Sequence, residues 1–155
     1  MRATSLLQKQ HRRVNTFLTR LEGAPPPAEV AKLVAQLATQ LAGQLVIEEE
    51  LFRPALRAMK GQLGVDADEE PWDTKFMLMS LLATRPDDAA FQEKVTGLKE
   101  IVERRARAHE ENLFPKVERE MDEEQLQELG QQMKLHFYEV VESGYEAALV
   151  RSMTH

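Results

Sequence analysis

The sequence of 155 residues contains no cysteine and a single tryptophan. The absence of thiols excludes disulfide bonds, cysteine-ligated zinc, iron–sulfur clusters and thiol catalysis. The N-terminus has no apolar core of signal-peptide length, and no run approaches the roughly 20 apolar residues of a membrane span. We therefore expect a cytoplasmic protein that does not associate with membranes.

Basic side chains are also fewer than acidic ones, with 20 Lys and Arg against 26 Asp and Glu and a formal charge of −6. This sign opposes binding to phosphate backbones, so we do not expect a nucleic-acid partner. Hydrolase and transferase functions gain no support, because no nucleophile–base arrangement or phosphate loop is present. The length suits one domain, residues 1–155, with a core that needs no disulfides.

Alternation typical of strands is absent, whereas apolar residues recur every three or four positions. This spacing predicts helices from a cap at Thr4 to Gly23, from about Pro27 to Met59, from the acidic stretch before Trp72, from about Asp88 to Glu118, and after Asp122. Pro54 predicts a kink or an early end in the second helix. Asp122 and Gln125 resemble a capping box. The pattern predicts an all-α fold, an up-and-down four-helix bundle with an additional C-terminal helix.

Two segments of the chain echo each other, "QLVIEEELFRP" from Gln44 and "RARAHEENLFP" from Arg105. Each has two polar residues four positions apart, then a Leu-Phe pair, and a proline at the eleventh position. Positions i and i+4 share one helical face, so Gln44 with Glu48 and Arg105 with His109 should point to a common interior point. His11 lies on the apolar stripe of the first helix and should join them. Helical bundles build metal sites in this way.

These segments, together with "LLQKQHRRV" near the N-terminus, resemble the hemerythrin-like HHE cation-binding domain family over most of the chain, up to about residue 135. The resemblance implies a four-helix bundle with a non-haem di-iron centre. The ligands it implies are one His from helix one, a His-x-x-x-Glu pair from helix two, one His near the start of helix three, and a second His-x-x-x-Glu pair from helix four. The helix-three His would fall near Pro71 or Trp72, where this sequence has none.

Only two residues, His11 and Glu48, keep the ligand type that the resemblance implies. Gln44 and Arg105 stand where the paired imidazoles should be, and His109 stands where the second carboxylate should be. A neutral amide is a poor iron ligand, and a guanidinium stays protonated. We therefore predict that Arg105 pairs with Glu48 in the interior and replaces the lost metal charge, with Gln44 and the two imidazoles completing a hydrogen-bond network.

Two functions remain open. In the first, the bundle has lost most of its di-iron site, binds no cofactor, is not an enzyme, and acts as a binding or interaction module for a small ligand or a protein. In the second, His11, Glu48 and His109 hold one non-haem iron or another divalent ion. The family resemblance implies O2 or NO sensing or iron handling for such a site. The neighbouring Glu49 and Glu50 are expected to rotate away from the interior, as charge runs usually line a solvated face.

Overall fold

The structure, a computed structural model, describes residues 1–59 and 71–154, and these residues form helices and connecting turns without strands. The helices are α1 (Ala3–Glu22), α2 (Pro27–Arg57), α3 (Trp72–Leu82), α4 (Phe91–Ala108, His109–Leu113 and Phe114–Glu120), α5 (Glu123–Glu142) and α6 (Tyr145–Met153). The predicted all-α fold is confirmed. The acidic stretch predicted to begin the third helix lies largely outside the described residues.

The helices pack so that α1 contacts α2 and α4, and α3 contacts α4 and α2. Helix α5 covers α1 and α2, and α6 lies along α2. Apolar side chains form two main clusters, one containing Leu7, Ile47, Phe52 and Phe114 and the other containing Val14, Leu18, Leu41 and Leu98. Five polar residues of α1, α2 and α4 lie between these clusters: His11, Gln44, Glu48, Arg105 and His109. They form a polar layer that divides the core.

Both echoed segments contain one turn of π-helix, Glu48–Phe52 in α2 and His109–Leu113 in α4. A proline follows each turn, Pro54 in α2 and Pro115 in α4. Proline has no N–H to donate, and its ring clashes with the carbonyl four residues earlier in a regular α-helix. The wider π turn before each proline lets the helix continue, in α2 as far as Arg57, so of the kink or early end predicted at Pro54 the early end does not occur. Such turns are frequent at functional sites.

The helix ends agree with the sequence in part. Asp122 and Gln125 form the predicted capping box, and Gly23 follows the last residue of α1. The predicted cap at Thr4 is wrong, because α1 begins at Ala3 and the Thr4 hydroxyl donates to the Glu118 carboxylate at 2.7 Å. Helix α6 was not predicted, although Gly144, with a φ of 88°, separates it from α5.

Helix α2 is the most apolar long element among the described residues. By length and composition, its 31 residues and a mean hydropathy of 1.3 over 18 of them would suffice to cross a membrane. However, 67% of that stretch is buried inside the structure. Such burial is typical of a helix at the centre of a bundle, which explains its composition.

Candidate metal centre

The Glu48 carboxylate lies at the centre of the polar layer, and the residue is only 2% exposed. Its Oε1 accepts a hydrogen bond from Gln44 Nε2 at 3.0 Å, one helical turn earlier in α2. Its Oε2 accepts one from Arg105 Nη2 at 2.7 Å, across the interface with α4. The predicted contact between Arg105 and Glu48 is therefore present. Both carboxylate oxygens are engaged by donors from within the chain.

The two imidazoles lie beside this carboxylate. His109 is 7% exposed and the His11 side chain 8%. Their ring centroids are 6.2 Å apart, and both rings contact Phe114, at 6.0 Å for His11 and 5.8 Å for His109. Among the residues that the structure describes, neither Nδ1 atom has a hydrogen-bond partner. For His11, the Glu110 carboxylate at 3.9 Å is too distant for a hydrogen bond.

Burial and charge determine the protonation of this cluster. Burial raises the pKa of Glu48, but the charge and hydrogen bond of Arg105 oppose this effect and the pKa falls to about 2. Burial, followed by the charge of Arg105, lowers the pKa of His109 to about 4. Burial also lowers the pKa of His11. At neutral pH the carboxylate is therefore ionised, the two imidazoles are neutral, and Arg105 supplies the counter-charge.

The donor set does not fit the two-metal centre that the resemblance implies. Of the six expected ligand positions, Gln44 and Arg105 occupy two with groups that do not bind iron, and both oxygens of Glu48 are already hydrogen bonded. In composition the set suits a single ion. One ligand atom from each of His11, Glu48 and His109 lies within 4.8 Å of the other two, and two imidazoles with one carboxylate form a common set for non-haem Fe(II).

A cavity of about 20 Å³ adjoins the cluster, enough space for about one water molecule. Its lining includes His11, Gln44, Arg105 and Thr74 of α3. Thr74 therefore reaches this space from the helix that should carry the missing imidazole. Trp72 does not line it, and its ring lies against Phe76 instead, with centroids 5.8 Å apart. The interior beside the ion pair is closed mainly by Gln44, Arg105 and apolar neighbours.

The remaining two glutamates of the π turn are not solvated, so the expectation for them is wrong. Glu49 is 8% exposed and pairs with the fully buried Lys75 of α3. The Lys75 ammonium also donates to the Ser152 carbonyl of α6 at 2.7 Å. Three consecutive helical residues spread over about 200° of the helix surface, so each glutamate meets a different neighbour. A lysine within the apolar run "TKFMLM" was the sequence signal for this pair.

Glu50, the third glutamate of the π turn, also pairs with basic side chains. Its Oε1 lies 2.9 Å from His136 Nε2 of α5, and Arg151 Nε of α6 donates to its Oε2 at 2.5 Å. Each glutamate of the π turn thus pairs with a basic side chain from a different part of the fold. The turn joins α2 to four other helices.

Comparisons with known proteins agree with this architecture. A solved structure of a hemerythrin HHE cation-binding-domain-containing protein from Mycobacterium kansasii is similar, with a TM-score of 0.74 and 25% identity. The match covers 98% of this chain and 99% of that one. A DNA nickase from Nostoc sp. (strain PCC 7120) is 24% identical over 135 residues, which make up 86% of this chain and 38% of that protein. This chain thus spans less than two fifths of that curated relative.

The family match itself extends over residues 2–117, which include α1, α2, α3 and most of α4. Every residue of the polar layer lies inside this range. The match covers well over half of the chain, and the predicted resemblance is confirmed. This chain belongs to the hemerythrin HHE cation-binding domain family.

Proposed function

We propose that this chain is a non-enzymatic member of the family, in which the ion pair of Arg105 and Glu48 stands in place of the di-iron centre. The observation that carries the proposal is that both oxygens of Glu48 accept hydrogen bonds from within the chain, from Gln44 and Arg105. In this arrangement the bundle keeps its fold without a metal ion and acts as a binding or interaction module.

The energetics of buried charge support this proposal. An ionised carboxylate in a protein interior requires a positive partner and satisfied hydrogen bonds. The guanidinium of Arg105 supplies the positive charge at all physiological pH values, because it does not deprotonate, and it shares the hydrogen bonds to the carboxylate with Gln44. The interior of this bundle is therefore neutralised permanently, whereas a metal centre depends on the supply of ions.

The proposal does not include the activity named for the Nostoc relative. The match spans 38% of that nickase, and the net charge of −6 opposes binding to a phosphate backbone. A small ligand or a protein remains the proposed partner.

Elemental analysis of protein purified without added metal tests the proposal, together with its visible absorption spectrum. We expect less than about a tenth of an equivalent of iron per chain and no visible band. Near-stoichiometric iron would overturn the proposal.

The second candidate function is a site for one divalent ion, held by His11, Glu48 and His109 and used for O2 or NO sensing or iron handling. Two observations favour it. One ligand atom from each of these three residues lies within 4.8 Å of the other two, and neither imidazole Nδ1 has a hydrogen-bond partner among the described residues. In this case the purified protein should contain about one equivalent of metal, and His109→Ala should remove it. His109→Ala leaves the contact between Arg105 and Glu48 in place, so loss of metal would identify the imidazole as a ligand.

A further inference from the structure

We infer that Arg105 is a tethered cation that competes with divalent metal ions for Glu48, so that this one side chain keeps such ions out of the cluster of His11, Glu48 and His109. The inference rests on the proposed function, in which the ion pair stands in place of the metal centre. It adds that the remaining donors are still able to bind one ion once the competitor is removed.

The competition follows from the position of the guanidinium. Arg105 Nη2 lies 2.7 Å from Glu48 Oε2, and Gln44 Nε2 holds the other oxygen at 3.0 Å. A metal ion bound to this carboxylate would therefore lie next to a fixed positive charge in a buried site, where repulsion between cations is poorly screened. The pair of Glu48 and Arg105 is neutral as it stands. A divalent ion added to it would leave two uncompensated positive charges, but only one if Arg105 were absent.

The other donors are already in place. The His11 side chain and the whole of His109 are each more than nine-tenths buried. In the described part of the chain, neither imidazole has a hydrogen-bond partner for its Nδ1. Buried polar atoms without partners are uncommon in proteins and call for an explanation. Both residues offer a ligand atom within 4.8 Å of Glu48 and of each other. The donor set therefore lacks only a free carboxylate.

A surface groove between α1 and α4 adjoins the cluster. This groove of about 260 Å³ is lined by three glutamates, Glu103, Glu110 and Glu111, and by two arginines, Arg12 and Arg107. The acidic residues outnumber the basic ones, which favours the approach of cations. His11, Val102 and Ala106 line both this groove and the internal cavity. His11 is thus the residue of the cluster that borders both the groove and the cavity.

The side of the ion pair that can open is the arginine. The Arg105 side chain is 12% exposed, against 2% for that of Glu48. Its Nε has no hydrogen-bond partner among the described residues. Arg105 is therefore held mainly through its terminal nitrogen, and its replacement removes the positive charge from the site while the imidazoles of His11 and His109 stay in the chain.

The test is a titration of the full chain with Co²⁺ at neutral pH. Binding is measured by calorimetry and by the visible absorption bands of bound Co²⁺. The variants are Arg105→Ala and Arg105→Gln; the second removes the charge but keeps an N–H donor for Glu48, so it guards against failure to fold. Arg104→Ala is the matched control, because Arg104 is an exposed arginine one position away on the same helix. We expect each Arg105 variant to bind one Co²⁺ at least about tenfold more tightly than the parent, and Arg104→Ala to bind like the parent.

A further variant locates the ion. If it binds at the cluster, adding His109→Ala to Arg105→Gln should abolish the gain in affinity. Equal affinity of the parent and both Arg105 variants would overturn the inference, as would an equal gain in Arg104→Ala or a gain that persists without His109. The proposed function fails on a different observation, stoichiometric metal in the purified parent, so the two failures are distinguishable.

Discussion

Glu48 shows how a single buried carboxylate determines the roles of the residues around it. Its charge is retained because Arg105 holds the pKa at about 2 against the opposing effect of burial. Burial is the main cause of the low pKa of His109 and the same guanidinium lowers it further, so the imidazole stays neutral. One arginine thus acts on the pKa values of both neighbours, which a surface ion pair could not do.

Replacing Arg105 by Leu should lower the free energy of unfolding by roughly 3–5 kcal/mol, because Glu48 would remain buried without its counter-charge. Urea denaturation at neutral pH measures this loss. The double variant Glu48→Gln with Arg105→Leu should recover part of it, since no charge then remains to be neutralised. A loss below about 0.5 kcal/mol for Arg105→Leu would show that the pair contributes little to stability.

Acid should destabilise the metal-free protein in two stages. The pKa of His109 is about 4 in the folded state against an ordinary 6.5, so the unfolded chain binds the proton more tightly. The neutral imidazole of His109 therefore makes its full contribution to the free energy of unfolding above pH 6.5, and this contribution is lost as the pH falls through about 4. The difference corresponds to roughly 3 kcal/mol. The pKa of Glu48 is lowered from 4.5 to about 2, so a second loss of folding stability should occur between pH 4.5 and pH 2.

Urea denaturation at a series of pH values tests this dependence, with His109→Gln as the comparison. That variant cannot take up the proton at position 109, so its stability should fall less steeply than that of the parent between pH 6.5 and 4. Parallel curves would contradict the role assigned to His109. The loss between pH 4.5 and 2 should remain in both proteins, because it belongs to Glu48.

Four residues of the polar layer could be placed from the sequence because the i, i+4 spacing in two echoed segments specifies a shared face, and the fifth, His11, from the apolar stripe of the first helix. The contact between Arg105 and Glu48 followed from the register of the two segments, from the family resemblance and from the need of a buried carboxylate for a positive partner. The pair of Glu49 and Lys75 could not be foreseen in the same way. A run of three glutamates favours a solvated face, and only the packing of α3 against the π turn brings a lysine to Glu49.

At the scale of helices, spacing and capping residues located the elements but not their internal geometry. The capping box at Asp122 has a local signature and was predicted. A π turn has no signature that the spacing of apolar residues reveals, so the sequence predicts a kink or an early end at Pro54 and not a π turn. Helix α6 has only nine residues, and its stability depends on contacts with α2 that no local pattern records.

The ionic contacts of the π turn should hold α6 in place. Lys75→Met removes the buried cation beside Glu49 and the donor to the Ser152 carbonyl. We expect amide hydrogen exchange in Tyr145–Met153 to become at least about tenfold faster, while exchange in α1 changes little. Lys32→Met, which changes an exposed lysine on α2, is the matched control. Unchanged exchange in α6 would show that its apolar contacts with α2 suffice.

At the scale of the whole molecule, the bundle is two apolar clusters separated by a polar layer, with α5 and α6 packed against the outside of α1 and α2. In the family that the sequence resembles, such a layer holds metal. In the function proposed above, the layer is retained while its ligands differ, because the apolar residues on either side fix the helix positions independently of what lies between them. If this is correct, the ligand set can be rebuilt without redesigning the fold.

The triple variant Gln44→His, Arg105→His and His109→Glu should restore such a site. It recreates a His-x-x-x-Glu pair on α2 and another on α4, beside His11, and removes the internal cation that repels metal. Imidazole is smaller than the arginine side chain, so the cavity of about 20 Å³ should enlarge enough for an ion. We expect at least one iron per chain in an anaerobic titration, bound more tightly than by the parent.

Arg105→Ala is the control for this experiment, because it removes the cation without adding ligands. The triple variant should bind iron more tightly than Arg105→Ala, since restored imidazoles and a second carboxylate complete the coordination sphere. Thr74, which reaches the cavity from α3, cannot replace the missing imidazole, so the second metal position should stay weaker than the first. Equal binding by the parent and the triple variant would mean that the helices have moved too close for an ion, and that the polar layer now depends on its ion pair for its geometry as well as its charge.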